Sequence, residues 1–144
     1  MKTFLPQQKN LAQNRKWFLI DATDLRPGKI AARAARILTG KSKAIFAPHL
    51  DCGDSIAIVN ADKIQFSGAK ETQKKYRTHS GYLGNLKEFA AKDFLAKKPE
   101  KILQLAIAGM LPKNRLRKNQ LLRLRIFAGG DHDLSAQKLE KIEI

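Results

Sequence analysis

The chain is poor in the features that small-molecule chemistry depends on. Its 144 residues include one cysteine, Cys52, so no disulfide can close within the chain. A reducing, cytoplasmic setting is therefore expected. His49, His79 and His132 lie far apart, with none of the spacing of a zinc finger or a haem attachment site. No metal and no cofactor is expected. No Ser–His–Asp or paired-carboxylate arrangement stands out. GYLG (Gly81–Gly84) has the wrong spacing for a phosphate-binding loop or a dinucleotide fingerprint. No small-molecule substrate follows from any of this. Long apolar runs are missing too. The best, ILQLAIAGML (Ile102–Leu111), is interrupted by Gln104 and falls short of the ~20 residues that span a bilayer. The apolar start of the chain is broken by Pro6 and Gln7, which leaves no secretory signal core. Residues 1–14 read as a polar leader. There is no internal repeat.

Acidic residues are the most telling scarcity. Thirteen Asp and Glu stand against 28 Lys and Arg, a formal net charge of +15. Such an excess cannot be paired internally, and it calls for a polyanionic partner. Nucleic acid is the first candidate and an anionic membrane the second. At 43% hydrophobic residues the chain still has enough for a core, and its length fits one compact domain spanning residues 1–144.

The spacing predicts an α/β fold. KWFLID (Lys16–Asp21) reads as a buried strand. PGKIAARAARILTGK then reads as a helix, with Ile30, Ala34, Ile37 and Leu38 on one stripe. Pro27 sits where a first helical residue is tolerated and Gly40 where helices commonly end. SIAIVN (Ser55–Asn60) reads as a doubly covered strand, and KIQFSG (Lys63–Gly68) as an alternating one. Residues 68–87 read as a long basic loop. EFAAKDFLAKK (Glu88–Lys98) and PEKILQLAIAGM (Pro99–Met110) read as helices, the second apolar nearly all round and so expected to be buried. RLRIFAG (Arg123–Gly129) alternates like a strand. The sum is one domain with a sheet of about four strands and helices on its faces, mostly parallel, with basic loop extensions.

Three basic regions are candidate binding sites. GMLPKNRLRKNQLLRLR (Gly109–Arg125) carries Lys113, Arg115, Arg117, Lys118, Arg123 and Arg125 and no acid. As one membrane-surface helix, it would align its leucines in one stripe. At ~100° per residue, Leu111, Leu116, Leu121, Leu122 and Leu124 scatter instead. A cationic turn and short helix through about Gln120 fits better. A strand then follows, with Leu122, Leu124 and Ile126 inward and Arg123 and Arg125 outward. A merely solvated face would mix acids with bases, so phosphate binding is the better reading. The second region offers Lys70, Lys74, Lys75 and Arg77, interleaved with the rings of Tyr76, His79 and Tyr82. Gly81 and Gly84 there allow close backbone approach. Cations among rings suit RNA, with its phosphates, 2′-hydroxyls and unstacked bases. The third is the helical stripe of Lys29, Arg33 and Arg36, followed by Lys41 and Lys43.

Two motifs resemble enzyme chemistry without completing it. HLDCGDS holds His49, Asp51, Cys52 and Asp54, of which a nucleic-acid-processing enzyme would use His49, Asp51 and Asp54. A turn at Gly53 in which both acids bond local backbone is the preferred reading, with Cys52 a small buried residue. GGDHDL (Gly129–Leu134) reads as a turn whose acids cap backbone or balance cations.

Several of these segments, in this order, resemble the bacterial L-thirteen family of large-subunit ribosomal proteins, from about Arg15 to the C-terminus. WFLIDA (Trp17–Ala22) is similar to its opening strand and GKIA (Gly28–Ala31) to its helix start. PHLDCGD (Pro48–Asp54), VNADKI (Val59–Ile64), YRTHSGYLG (Tyr76–Gly84), GMLPKNRL (Gly109–Leu116) and FAGGDHDLSAQ (Phe127–Gln137) follow. There are departures. Lys29 stands where the family usually has Arg, keeping the charge but losing the planar fork. Arg117 stands where Gly is usual, and Leu134 where a second His is usual. The resemblance implies a non-enzymatic, early-assembling component of the large subunit with a three-layer α/β/α fold. Its partners would be large-subunit ribosomal RNA and neighbouring ribosomal proteins, and its location the cytoplasmic ribosome. The rival readings are a free-standing RNA chaperone or regulator and a nucleic-acid-processing enzyme.

Overall fold

The computed structural model describes residues 15–144, so the predicted leader over residues 1–14 lies outside the described residues. The centre is a four-stranded, wholly parallel sheet in the order β5-β2-β1-β6, with β1 Trp17–Asp21, β2 Ser55–Val59, β5 Leu124–Ile126 and β6 Leu139–Lys141. Every residue of β2 is buried, as expected for a central strand covered on both faces. Helix α1 (Pro27–Thr39) follows β1. Its predicted stripe of Ile30, Ala34, Ile37 and Leu38 is buried. Pro27 opens it, and Gly40 ends it in the left-handed region at φ 76°. The Gly40 N–H donates to the Ile37 carbonyl and the Lys41 N–H to the Arg36 carbonyl, closing the helix in the usual glycine-ended way.

The remaining helices are α2 (Lys70–Gln73), α3 (Ala91–Lys97), α4 (Pro99–Met110) and α5 (Leu116–Leu122). Helices α1 and α4 pack on each other, and Ile102, Leu103 and Ile107 of α4 join Ile20, Ile56 and Ile58 in a fully buried core. The sequence placed α4 wholly inside. Only one stripe is buried, because Leu105 is 43% and Met110 48% exposed.

Four strands were expected and the central sheet has four, but their membership differs. Lys63–Gly68 is not a strand. A 3-10 turn occupies Ala61–Lys63, and the Gln65 N–H bonds the Leu25 carbonyl in place of a ladder. The alternation is real as burial, with Ile64 inside and Gln65 outside, yet burial of alternate side chains does not require a strand partner. The fourth place goes to β6, three residues containing Glu140 and Lys141 at the sheet edge. Edge strands are typically short and charged, so periodicity passes over them.

The segment predicted as an open loop is structured. Strands β3 (Lys75–His79) and β4 (Leu86–Ala90) form an antiparallel hairpin in the register Lys75↔Ala90, Arg77↔Glu88, His79↔Leu86. Accordingly the helix expected from Glu88 starts only at Ala91. The hairpin is anchored by rings, with Tyr76 and Phe89 stacked on Phe94 of α3 at 5.0 and 6.0 Å between centroids. Burial raises the Tyr76 phenol pKa above its ordinary value.

The loop before β2 is threaded against the end of α1. A Cβ at Gly53 would stand 1.8 Å from the Leu38 carbonyl oxygen, closer than any real contact. That oxygen belongs to a buried helix end and cannot swing away. Gly53→Ala should therefore lower the unfolding free energy by about 3 kcal/mol, read as a reduced midpoint in urea. An unchanged midpoint would show that the loop can relax.

Candidate nucleic-acid interface

The predicted cations fall into two kinds, those held by the protein itself and those left for a partner. Arg123 is of the first kind. Its side chain is only 10% exposed and grips both carboxylate oxygens of Asp51, with Nη2 to Asp51 Oδ1 at 2.6 Å. The same Nη2 donates to the Leu38 carbonyl at 3.0 Å, and Nε donates to the Asp54 carbonyl at 3.3 Å. The outward orientation expected for Arg123 is thus corrected. Helix α5 runs on to Leu122, which is 65% exposed rather than inward, and the strand starts one residue after Arg123. A reading by strict alternation from Leu122 put Arg123 on the wrong side.

Asp54 is 3% exposed and accepts the Lys16 N–H at 2.9 Å and Lys43 Nζ at 2.5 Å. Lys43 is consequently spent on the fold. The two acids do not make the local turn expected of them; they close long-range ion pairs. Cys52 is buried as expected, its Sγ 3.4 Å from the Ile45 carbonyl. Since Asp51 and Asp54 are both held by cations, they are not available as the hydrolytic pair beside the exposed His49. Arg117 is half-buried, and its Nη2 donates to the Ala108 carbonyl at 2.5 Å, tying α5 back to the end of α4. That contact accounts structurally for the extra cation at this position.

In the hairpin, Lys75 Nζ and Arg77 Nε both meet Glu88, at 3.1 and 2.6 Å. Their hydrogen bonds hold the Glu88 carboxyl below the usual carboxylate range. These pairs are exposed and weak, so they partly screen the two cations without burying them. Lys74 Nζ lies over the Tyr76 ring, 5.2 Å from its centroid. At the tip the Gly81 N–H donates to His79 Nδ1 at 2.9 Å. Tyr82 is 79% exposed there, and the chain turns through Gly81 and Gly84, both with positive φ.

Lys29, Arg33, Arg36, Lys41, Lys70, Lys113, Arg115, Lys118 and Arg125 are exposed, and among the described residues none of them forms an ion pair. Their placement shows what the sequence could not. The α1 stripe lies between the other two basic regions. At one end, Lys29 lines a groove with Lys70 and Lys74. At the other, Arg36 and Lys41 line a groove with Met110 and Pro112, at the start of the basic turn. The third of the predicted groups thus lies between the other two. Arg26, which the sequence reading missed, lines the first groove as well. It precedes α1, whose first turn has no acid, so the positive end of the helix dipole is left uncompensated. That absence of an acid was the available signal. Arg125 stands elsewhere, in a groove with Glu100 and Gln104 that none of the other predicted cations lines.

The division into held and free cations has a direct consequence for stability. Arg123→Gln strips the half-buried Asp51 of its bidentate partner, leaving only the longer Arg15 contact, and frees the Leu38 and Asp54 carbonyls, so it should cost about 3 kcal/mol in urea unfolding. Arg125→Gln should stay within about 0.5 kcal/mol of the parent chain. Equal effects would refute the distinction.

The model of the family described as Ribosomal protein L13 matches residues 15–133. The protein named Large ribosomal subunit protein uL13 from Lachnospira eligens is 43% identical over 143 residues, covering 99% of each chain. Proteins of the same name from Clostridioides difficile and from the Hildenborough strain of Nitratidesulfovibrio vulgaris are each 46% identical. The first covers 97% of this chain and 96% of the relative, the second 100% and 99%. With a family model over most of its length and relatives matched nearly end to end, the chain belongs to the Ribosomal protein L13 family.

Proposed function

We propose that this chain is a non-enzymatic structural constituent of the large ribosomal subunit that binds large-subunit ribosomal RNA and supports early subunit assembly. The observation that carries the reading is the row of exposed, unpaired cations along α1 between two grooves. The α1 stripe runs about 10 Å along its helix. It links the groove of Arg26, Lys29, Lys70 and Lys74 to a groove at Met110 and Pro112, where the segment bearing Lys113, Arg115 and Lys118 begins. A row of unpaired cations on a rigid scaffold matches a run of phosphates, which sets affinity and orientation without reading bases. Specificity then comes from shape, 2′-hydroxyls and unstacked bases near the hairpin tip, where His79 and Tyr82 stand exposed. The family relationship supports the ribosomal setting in the cytoplasm, with neighbouring ribosomal proteins as further contacts.

Each phosphate-contacting cation contributes about 0.7–0.9 to the slope of log affinity against log salt. The triple change Lys113, Arg115 and Lys118 to Gln should weaken binding to a large-subunit ribosomal RNA transcript and reduce the slope by about 2 to 3 units. Both unchanged would remove this turn from the interface. In a sedimented lysate the tagged chain should travel with large subunits. A pool confined to light fractions would favour a free-standing RNA chaperone instead.

A further inference from the structure

Beside the basic turn lies a cavity of about 360 Å³ that the phosphate contacts leave unused. Phe46, Pro48, Leu50, Pro112 and Leu116 form apolar walls, and Gln120 lines it as well. Gln120 is 3% exposed, and its Oε1 has no hydrogen-bond partner among the described residues. Two other polar groups of the lining are already engaged. The Thr39 hydroxyl donates to the Ala35 carbonyl at 2.7 Å, and Asn114 Oδ1 accepts the Arg117 N–H at 3.1 Å. A buried amide left unmade is costly, and native chains keep few of them without a partner to come. A site of this size with apolar walls and one placed polar group is suited to a small flat ligand.

We infer that this cavity receives one unstacked base of the bound RNA, stacked against Phe46 and donating an N–H to Gln120. The inference rests on the RNA-binding reading above and names the part of the RNA that this site takes. Three observations select a base over other occupants. A base presents two apolar faces to the walls and N–H donors at its edge to the orphan acceptor. It also arrives attached to phosphates, and the cavity is flanked by exposed cations, with Lys41 among its lining and Lys113 and Arg115 on either side of Asn114. Single-stranded bases seated on side-chain rings are the usual means of sequence-specific RNA recognition. The segment that would hold the base, Gly109–Arg125, carries no acid to repel the adjoining backbone.

The test uses the full chain and a transcript of bacterial large-subunit ribosomal RNA. Gln120→Leu removes the orphan amide, and Leu116→Trp fills the cavity. Each should weaken binding about tenfold, as the loss of one stacked base does. The melting temperature should be unchanged or higher for Gln120→Leu, and the salt slope unchanged for both, since no phosphate contact is lost. Chemical probing of base edges should show one nucleotide protected by the parent chain and reactive with either variant. Full affinity and an unaltered footprint with Gln120→Leu would overturn the inference, leaving only a bound water at the amide. If the Lys113, Arg115 and Lys118 variant still weakens binding in that case, the RNA-binding reading stands and the base site alone falls. If neither set weakens binding, both fall. Normal RNA binding combined with failure to enter the large subunit would assign the cavity to a neighbouring protein's side chain and would equally overturn the base.

Discussion

The guanidinium of Arg123 is the contact on which the arrangement of this molecule depends. One side chain reaches two remote places in the chain: the Leu38 carbonyl at the end of α1, and the loop before β2, through the Asp51 carboxylate and the Asp54 carbonyl. Arg123 itself stands at the junction of α5 and β5. A planar fork with five donors can make such a junction, whereas an ammonium could not. Gly53 lets the loop come close enough, since any Cβ there would collide with the same Leu38 oxygen. Lys43 and Asp54 close a second pair beside it. A helix end, a strand end and a loop are thereby held at one place.

That junction also sets the geometry of the charged surface. With the end of α1 fixed against the loop and β5, Arg36 and Lys41 come to share a groove with Met110 and Pro112. The basic turn after α4 is held from its other side by Arg117 on the Ala108 carbonyl. Cations that support the fold and cations that face outward therefore alternate along one stretch of chain. A rigid display of this kind loses little conformational freedom on binding, so more of the electrostatic attraction is retained as affinity. The hairpin is the contrasting case. It is anchored at its base by Tyr76, Phe89 and Phe94, while its tip carries exposed Tyr82 and Leu83.

Much of the scaffold was legible in the order of residues. β1, α1 and β2 declare themselves by period, by Pro27 and by Gly40, because each buries a regular stripe. The parts that escaped have little burial to announce them. β3 and β4 are nearly all exposed, so KYRTH and LKEFA show no core alternation, and their pairing depends on partner strands rather than on either one. β6 is three residues at an edge. Lys63–Gly68 misled in the opposite sense, since it alternates in burial without pairing. For the interface, charge identified all three basic regions, yet it could not separate Arg123 and Lys43, consumed within the fold, from Lys113 and Lys29, which are not.

What the sequence determined by itself is the kind of partner and the class of scaffold. An excess of 28 basic over 13 acidic residues cannot be neutralised internally, and helix and strand periods in this order make an α/β sheet. Only the tertiary structure decided which cations remain free and how they line up. Pairing depends on distances between residues as remote as Asp51 and Arg123, and these exist only once the chain has closed on itself. The same closure left Gln120 Oε1 without a partner among the described residues and brought α5 beside Phe46, a residue remote in sequence.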